Sequence, residues 1–292
     1  MLRRYVQKEL LLSLETGVDL VVVEKAPETD PLGKAVLLIH GSGVGWIYWD
    51  IPYEDYSVMD YLAARGLHVY AVECRGYGRS TKPNGLEVTA STIAQDTCAL
   101  LNVLKERTEH SRFSVVGHSS GGTVALVTAG LCPRLIERMV LIGTPYRQIS
   151  HQFMPYAETL AAMVREPGKD YVPNLHYQDV EQRLDDHDPA VVAWYKTAVA
   201  EAYPQIPGGI FPDLLNNPGL AVVKRLEVPT LLLNGSNEYV VDASDVEEMF
   251  SDLKTPDKAN VVLPGGYHLL FVEKRGHRGL QESLYCWLTR VS

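Results

Sequence analysis

Residues 115–122 read VVGHSSGG, and the reading of this stretch decides the fold. Two β-branched residues run into Gly117, His118, Ser119, Ser120 and Gly121, and the pattern GTVALVTAG then follows at helical spacing. A buried strand therefore ends at a serine flanked by glycines, and a helix starts directly behind it. Taken alone, a G-x-S-x-G match arises by chance in roughly one chain in ten of this length. Its surroundings must supply what a serine nucleophile needs. In open α/β sheets ligands bind beyond the carboxyl ends of the strands, where Ser119 is expected. A sharp strand-to-helix turn strains the serine backbone, and Gly117 and Gly121 remove Cβ atoms that would collide there. The helix N-terminus favours negative charge on the reacting oxygen. Ser120 is the weaker candidate, because its two-residue flanks are His118 and Gly122.

Short apolar runs recur on both sides of this turn. AVLLIH (35–40), LHVYAVEC (67–74), FSVVGH (113–118), RMVLIGT (138–144), PTLLLNG (229–235) and ANVVLPG (259–265) read as buried strands. KELLLSLE and VDLVVVEK read as an earlier hairpin turning at Gly17. Helical patterns separate most of the later runs: TIAQDTCALLNVLKER, GTVALVTAGL, ASDVEEMFSDL and RGLQESLYCWLTRV. The expected class is α/β, a mostly parallel, doubly wound sheet with helices on both faces. No buried strand is expected across residues 146–225, which read as short helices joined by Pro- and Gly-rich turns. The expected organisation is a core in two parts, 1–145 and 226–292, with a helical cap at 146–225.

A serine hydroxyl needs a base, and the base needs an orienting group. Of nine histidines, His268 follows the last strand, in VVLPGGYHLLF, at the same sheet edge as Ser119. The acid should follow the preceding strand, in PTLLLNGSNEYVVD. Glu238 comes first, and Asp242 stands where a helix N-cap is expected before ASDVEEMF. Glu238 is preferred and Asp242 is the alternative.

The order of nucleophile, acid and base, with this topology, resembles the α/β-hydrolase superfamily in its capped serine-hydrolase branch. LLIHGSG resembles the His-Gly oxyanion loop, VECRGYGRS the D-x-R-G-x-G-x-S turn, GHSSGG the nucleophile elbow, and PGGYHLLFVEK the catalytic histidine loop. Two positions depart from the family pattern: Glu73 and Glu238 stand where Asp is commoner. The resemblance implies a Ser119–His268–Glu238 triad, with backbone N–H groups of Ser42 and Ser120 as the oxyanion hole. It implies acyl transfer to water with no metal or organic cofactor. Haloalkane dehalogenases and epoxide hydrolases of this fold carry Asp at the elbow, so Ser119 points away from them. A triad-bearing receptor with slow hydrolysis, a carbon–carbon bond hydrolase and a perhydrolase are the alternatives. His40 is expected to be structural, and Arg75 and Arg79 to hold their turn.

Composition bounds the partners. Apolar residues make up 46%, charged residues 22%, and the net charge is −9, which argues against nucleic-acid binding. No membrane span or signal peptide is visible, which suggests a cytoplasmic protein. Cys74, Cys98, Cys132 and Cys286 form no C-x-x-C pair and read as free thiols in a reducing compartment. The expected partner is a small-molecule acyl substrate, and the expected assembly a monomer or homodimer. Aromatic side chains are dense in the cap, and Trp46, Trp194 and Tyr195 are expected to line the cleft, with Trp49 able to share it. Such walls suit a medium-sized hydrophobic ester, lactone or thioester. Entry is expected by opening of the cap at joints near Pro167 and Gly208.

Overall fold

A computed structural model describes residues 4–29, 31–166, 168–178, 180–217 and 219–290. The chain opens with β1 (Tyr5–Ser13) and β2 (Asp19–Pro27), an antiparallel hairpin whose turn places Gly17 at a φ of 78°. Then come β3 (Ala35–Ile39), α1 (Val58–Ala63), β4 (His68–Glu73), α2 (Ala90–Arg107), β5 (Phe113–His118), α3 (Ser120–Leu131) and β6 (Ile136–Ile142). After the cap follow β9 (Thr230–Gly235), α8 (Ala243–Asp252), β10 (Lys258–Leu263) and α9 (Gly276–Thr289). Eight strands form one sheet in the order β1-β2-β4-β3-β5-β6-β9-β10. The hairpin joins antiparallel through the β2–β4 pair, and from β4 to β10 the pairs are parallel. Each apolar run named above falls on one of these strands.

Burial explains why the central strands read as unbroken apolar runs. Val36, Leu37, Leu38 and Ile39 of β3 are fully buried, as are Phe113, Val115 and Val116 of β5. These strands are covered by helices on both sides, so no alternation is left in their sequence. The edge strands β1 and β10 carry exposed or half-buried residues instead. Helix α2 starts at a reciprocal cap: Thr92 N–H donates to Thr89 Oγ1, and Thr89 N–H to Thr92 Oγ1. It buries Ile93, Ala94, Thr97, Leu100, Leu101 and Leu104, spaced at three and four residues.

The segment 146–225, expected to form a cap, contains α4 (Met154–Met163), α5 (Pro189–Ala202), α6 (Ile210–Asn216) and α7 (Leu220–Val223). It also contains two strands the sequence reading left out. These are β7 (Tyr171–Pro173) and β8 (Gln205–Pro207), an antiparallel pair with Val172 and Ile206 fully buried. The expectation of no buried strand is thus corrected. Strands of three residues, each ending in proline, carry no readable period.

The cap is pinned to the core at several points. Tyr203 Oη donates to Glu73 Oε1 at 2.7 Å, and Arg79 N–H donates to Glu73 Oε2 at 2.7 Å. Glu73 thereby ties the Arg-Gly turn to the cap. Gly209 N–H donates to Gly85 O of the core at 2.9 Å, and within the segment 146–225 Gly208 N–H donates to Asp170 O at 2.8 Å. A Cβ on Gly208 would lie 2.4 Å from Val164 Cγ1. This glycine, one of the two expected joints, permits close packing and is held by a hydrogen bond. Pro167, the other expected joint, lies outside the described residues.

The cysteine reading is also corrected. Cys98 of α2 and Cys132, just past α3, form a disulfide, their Cα atoms 6.1 Å apart. Only Cys74 (buried) and Cys286 (exposed) are free thiols. The pair is brought together by the packing of α2 on α3, not by local spacing, so the sequence offered no motif for it. It removes the cysteine argument for a reducing compartment. Among the described residues no helix is long and apolar enough to cross a membrane.

Candidate active site

Ser119 occupies the point where β5 turns into α3. Its φ is 55° and its ψ −124°, a strained conformation for a residue with a side chain. The flanking glycines are there for a steric reason. A Cβ on Gly117 would lie 2.2 Å from Gly121 O, and one on Gly121 would lie 2.4 Å from His40 O. Gly122 is equally closed off, by Thr144 Oγ1 at 1.8 Å. Ser120, as the first residue of α3, has an N–H with no acceptor inside the helix. Ser42 lines the cavity beside Ser119.

His268 lies in the loop after β10 and lines the same cavity as Ser119. Its Nδ1 hydrogen bonds to Glu238 Oε1 and Oε2, each at 2.9 Å, which leaves Nε2 for the cavity side. Both partners of this pair are buried. Glu238 Oε1 also accepts from Val240 N–H at 2.8 Å, which fixes the carboxylate plane. Asp242 is the N-cap residue of α8 by position, but its side chain makes no capping bond, and it does not line the cavity. Of the two acids left open by the sequence, Glu238 is the one the fold brings to His268.

Several supporting residues carried no sequence signal. Gly143, at a φ of 51°, packs beneath the pair. A Cβ there would lie 2.8 Å from His268 Nδ1 and 2.9 Å from Glu238 Oε2. His118 Nε2 donates to His268 O at 3.0 Å and is held neutral, because burial lowers its pKa well below the ordinary value. His40 has its pKa lowered to about 4 by burial. Its Nδ1 donates to Gly41 O and its Nε2 accepts from Cys74 N–H, the arrangement of a structural histidine. Arg75 forms an ion pair with Asp96, and Arg79 with Glu9, so both arginines are engaged at their turn.

The glycines of the loop HGSGVG have a second use. A Cβ on Gly43 would lie 2.3 Å from the His176 ring, and one on Gly45 would lie 2.1 Å from the Tyr203 ring. Asn174 Nδ2 donates to Gly43 O at 2.8 Å. Cap side chains therefore seat directly on the loop that carries Ser42.

The cavity at Ser119 is lined by Ser42, His118, Phe153, His176, Tyr195 and Tyr239, among others. Tyr195 is where the sequence reading expected it. Trp46 and Trp194 are not, for neither lines this cavity. Trp194 faces Tyr53, their ring centres 6.5 Å apart, and Trp46 packs half-buried against the core. Trp49 is fully buried against Tyr48 and Phe271. Trp46 and Trp49 stand at the two ends of a short 3-10 helix, Trp46–Trp49. The cavity measures only about 40 Å³, room for a few waters.

Glu273, five residues past His268, shapes the same loop. Its Oε1 accepts from Tyr267 N–H at 2.8 Å. Burial, with Glu238 and Asp186 nearby, raises its pKa from 4.5 to about 7, against the lowering effect of that hydrogen bond. The folded protein therefore holds a proton on Glu273 that the unfolded chain has lost. Stability should fall as pH rises from about 4.5 to about 7, and this contribution should be flat above. Glu273→Gln keeps the acceptor and removes the charge. Its stability relative to wild type should rise by about 1.4 kcal/mol per pH unit across that window. Urea unfolding of both proteins from pH 4 to 8 measures it, and a constant difference would refute the burial argument.

A parallel-rich sheet with a strained serine at a strand–helix turn, and a loop histidine held by a carboxylate at the same edge, defines an α/β-hydrolase. The chain matches the family described as serine aminopeptidase S33 over residues 33–275, and it belongs to that family. It is 27% identical over 260 residues to a monoacylglycerol lipase of Mycolicibacterium smegmatis, covering 88% of each chain. It is 24% identical over 286 residues to epoxide hydrolase 3 of Xenopus tropicalis, covering 88% of this chain and 71% of that one. Among solved structures it resembles a soluble variant of monoglyceride lipase from Saccharomyces cerevisiae, solved in complex with a substrate analog. The TM-score is 0.75 at 16% identity, over 100% of this chain and 97% of that one. At that identity the structural likeness speaks for the fold alone. The chain is thus an esterase- and lipase-like member of a hydrolase family.

Proposed function

We propose that this protein is a serine hydrolase that cleaves an ester, lactone or thioester of a medium-sized hydrophobic molecule through an acyl-enzyme on Ser119. The observation that carries the reading is the shared cavity. A serine in a strained conformation lines it together with a histidine whose other ring nitrogen is committed to a buried carboxylate. His268 Nε2 takes the Ser119 proton as Oγ attacks the carbonyl carbon. The imidazolium is stabilised by Glu238, and the N–H groups of Ser42 and Ser120 receive the oxyanion. His268 then protonates the leaving group, and water repeats the sequence on the acyl-enzyme. Serine at the elbow favours this course over epoxide opening, which in the resembling enzymes uses an aspartate there.

A cavity of about 40 Å³ is far below the several hundred Å³ that organic ligands occupy. Productive binding therefore includes a rearrangement of the cap side chains over Ser119. The test is fluorophosphonate labelling with mapping of the modified peptide, followed by a panel of esters, lactones and thioesters. Modification at Ser119 and turnover of at least one acyl class are expected. Labelling elsewhere, or none, would overturn the reading.

A further inference from the structure

A second cavity, of about 300 Å³, lies next to the first and is lined by Gln152, Phe153, Tyr156, Arg183, Tyr239 and Tyr267. Phe153 and Tyr239 line both cavities, so these two rings form the wall between them. The outer space has the volume of a ligand site, which the inner one lacks.

The polar groups of the outer cavity are unusual. Arg183 makes no ion pair with a carboxylate among the described residues. Its neighbour is Tyr239: the guanidinium stands 5.3 Å from that ring's centre, and Nη1 reaches Tyr239 Oη at 3.5 Å. Tyr156 Oη is buried with no hydrogen-bond partner. Burial raises the pKa of that hydroxyl, so it is a proton donor at neutral pH. The Arg183 guanidinium, without a carboxylate partner among the described residues, and the Tyr156 ring thus line one space, with the Tyr156 hydroxyl buried at its edge and the Phe153 and Tyr239 side chains between this space and the cavity of Ser119. Nearby acidic groups are already engaged: Asp185 accepts from Tyr267 Oη, and Asp186 pairs with Arg275 at 3.3 Å.

We propose that the outer cavity is a subsite for a carboxylate at the end of the substrate remote from the scissile bond, bound by Arg183, with the Tyr156 hydroxyl reaching it on a small rotation of that side chain. The substrate chain passes between Phe153 and Tyr239, with its reacting carbonyl at Ser119. A monoanion fits better than a phosphate dianion, because among the described residues one guanidinium supplies the cationic charge lining the cavity and Asp185 stands close by. This rests on the acyl-transfer reading of Ser119 and adds the polarity of the substrate to it.

The experiment pairs esters that differ only in the remote group. Monomethyl esters of glutaric, adipic, suberic and sebacic acids are compared with methyl esters of the linear fatty acids of equal carbon count. Acetate esters of ω-hydroxy acids, against those of plain alcohols, cover the leaving-group side. The readout is the ratio of kcat/KM, anionic over neutral, within each protein. Folding defects cancel in this ratio. In Arg183→Gln it should drop about 10- to 100-fold for at least one chain length, the range for a lost charge-assisted hydrogen bond. Arg183→Lys should restore part of it, and Tyr156→Phe should lower it less. A ratio unchanged in Arg183→Gln across both series overturns the subsite. Calorimetric titration of suberate and sebacate into Ser119→Ala, with and without Arg183→Gln, gives a readout that needs no turnover. Binding weakened by the second substitution supports the subsite, and equal or absent binding in both rejects it. Failure of the acyl-enzyme reading shows separately, as missing label on Ser119.

Discussion

Ser119→Ala is expected to abolish fluorophosphonate labelling and to lower kcat by about 10⁶ on any ester the wild type turns over. On the proposed mechanism the Ser119 hydroxyl is the group that forms the acyl-enzyme. Ser42 is a neighbour, but its carbonyl accepts from Tyr77 Oη and its loop is fixed by Asn174 and His176. Ser120 is the first residue of α3, one position past the strained elbow conformation that Ser119 holds. The variant should fold, because a methyl side chain tolerates the Ser119 backbone about as well as the serine does, and the strain belongs to the turn. The measurement is steady-state turnover beside a circular dichroism melt. A variant with near-normal turnover would place the chemistry elsewhere and end the proposal.

Much of this geometry was legible in the sequence, and the reasons are steric. Gly117 and Gly121 could be read as required because the turn leaves no room for a Cβ, and the atoms that exclude it are Gly121 O and His40 O. The buried strands were legible because burial on both faces leaves continuous apolar runs. His268 and Glu238 were placed by the rule that chemistry gathers at the carboxyl edge of the sheet. What escaped depends on contacts between segments remote in sequence. Gly143 looks like any loop glycine until β6 and the histidine loop are brought together. The glycines at 43 and 45 read as part of the oxyanion loop. Nothing in HGSGVG shows that His176 and Tyr203, more than a hundred residues later, fill their Cβ positions. The disulfide joins two helices whose packing had no local signature. Trp46 and Trp194 were misplaced because an aromatic residue near a site in sequence has no preferred direction until its backbone is set. Trp46 begins a single 3-10 turn, and Trp194 turns toward Tyr53.

Glu238→Gln is expected to cost about 10³–10⁴ in kcat with little loss of stability, whereas Asp242→Asn should cost less than about tenfold. The difference follows from which ring nitrogen carries the proton. Glu238 accepts from His268 at Nδ1, so that nitrogen must bear the hydrogen and Nε2 is free to accept from Ser119. A glutamine at 238 offers an N–H₂ as well as a carbonyl oxygen. Val240 N–H donates to Oε1, which draws the amide oxygen to that side and leaves the amide N–H₂ at the Oε2 position, also 2.9 Å from Nδ1. That N–H₂ competes for Nδ1 as an acceptor and favours the tautomer with hydrogen on Nε2, where the ring cannot accept the serine proton. The imidazolium that forms during attack also loses its buried counter-charge. Both effects act on the transition state, so kcat should fall far more than KM changes. Asp242 has neither function: it precedes α8, makes no capping bond and does not line the cavity. The rate of fluorophosphonate labelling should track kcat, because that reaction needs the same proton transfer and no productive substrate pose. A larger loss at Asp242 than at Glu238 would mean that the working enzyme rearranges its histidine loop away from the pairing seen here.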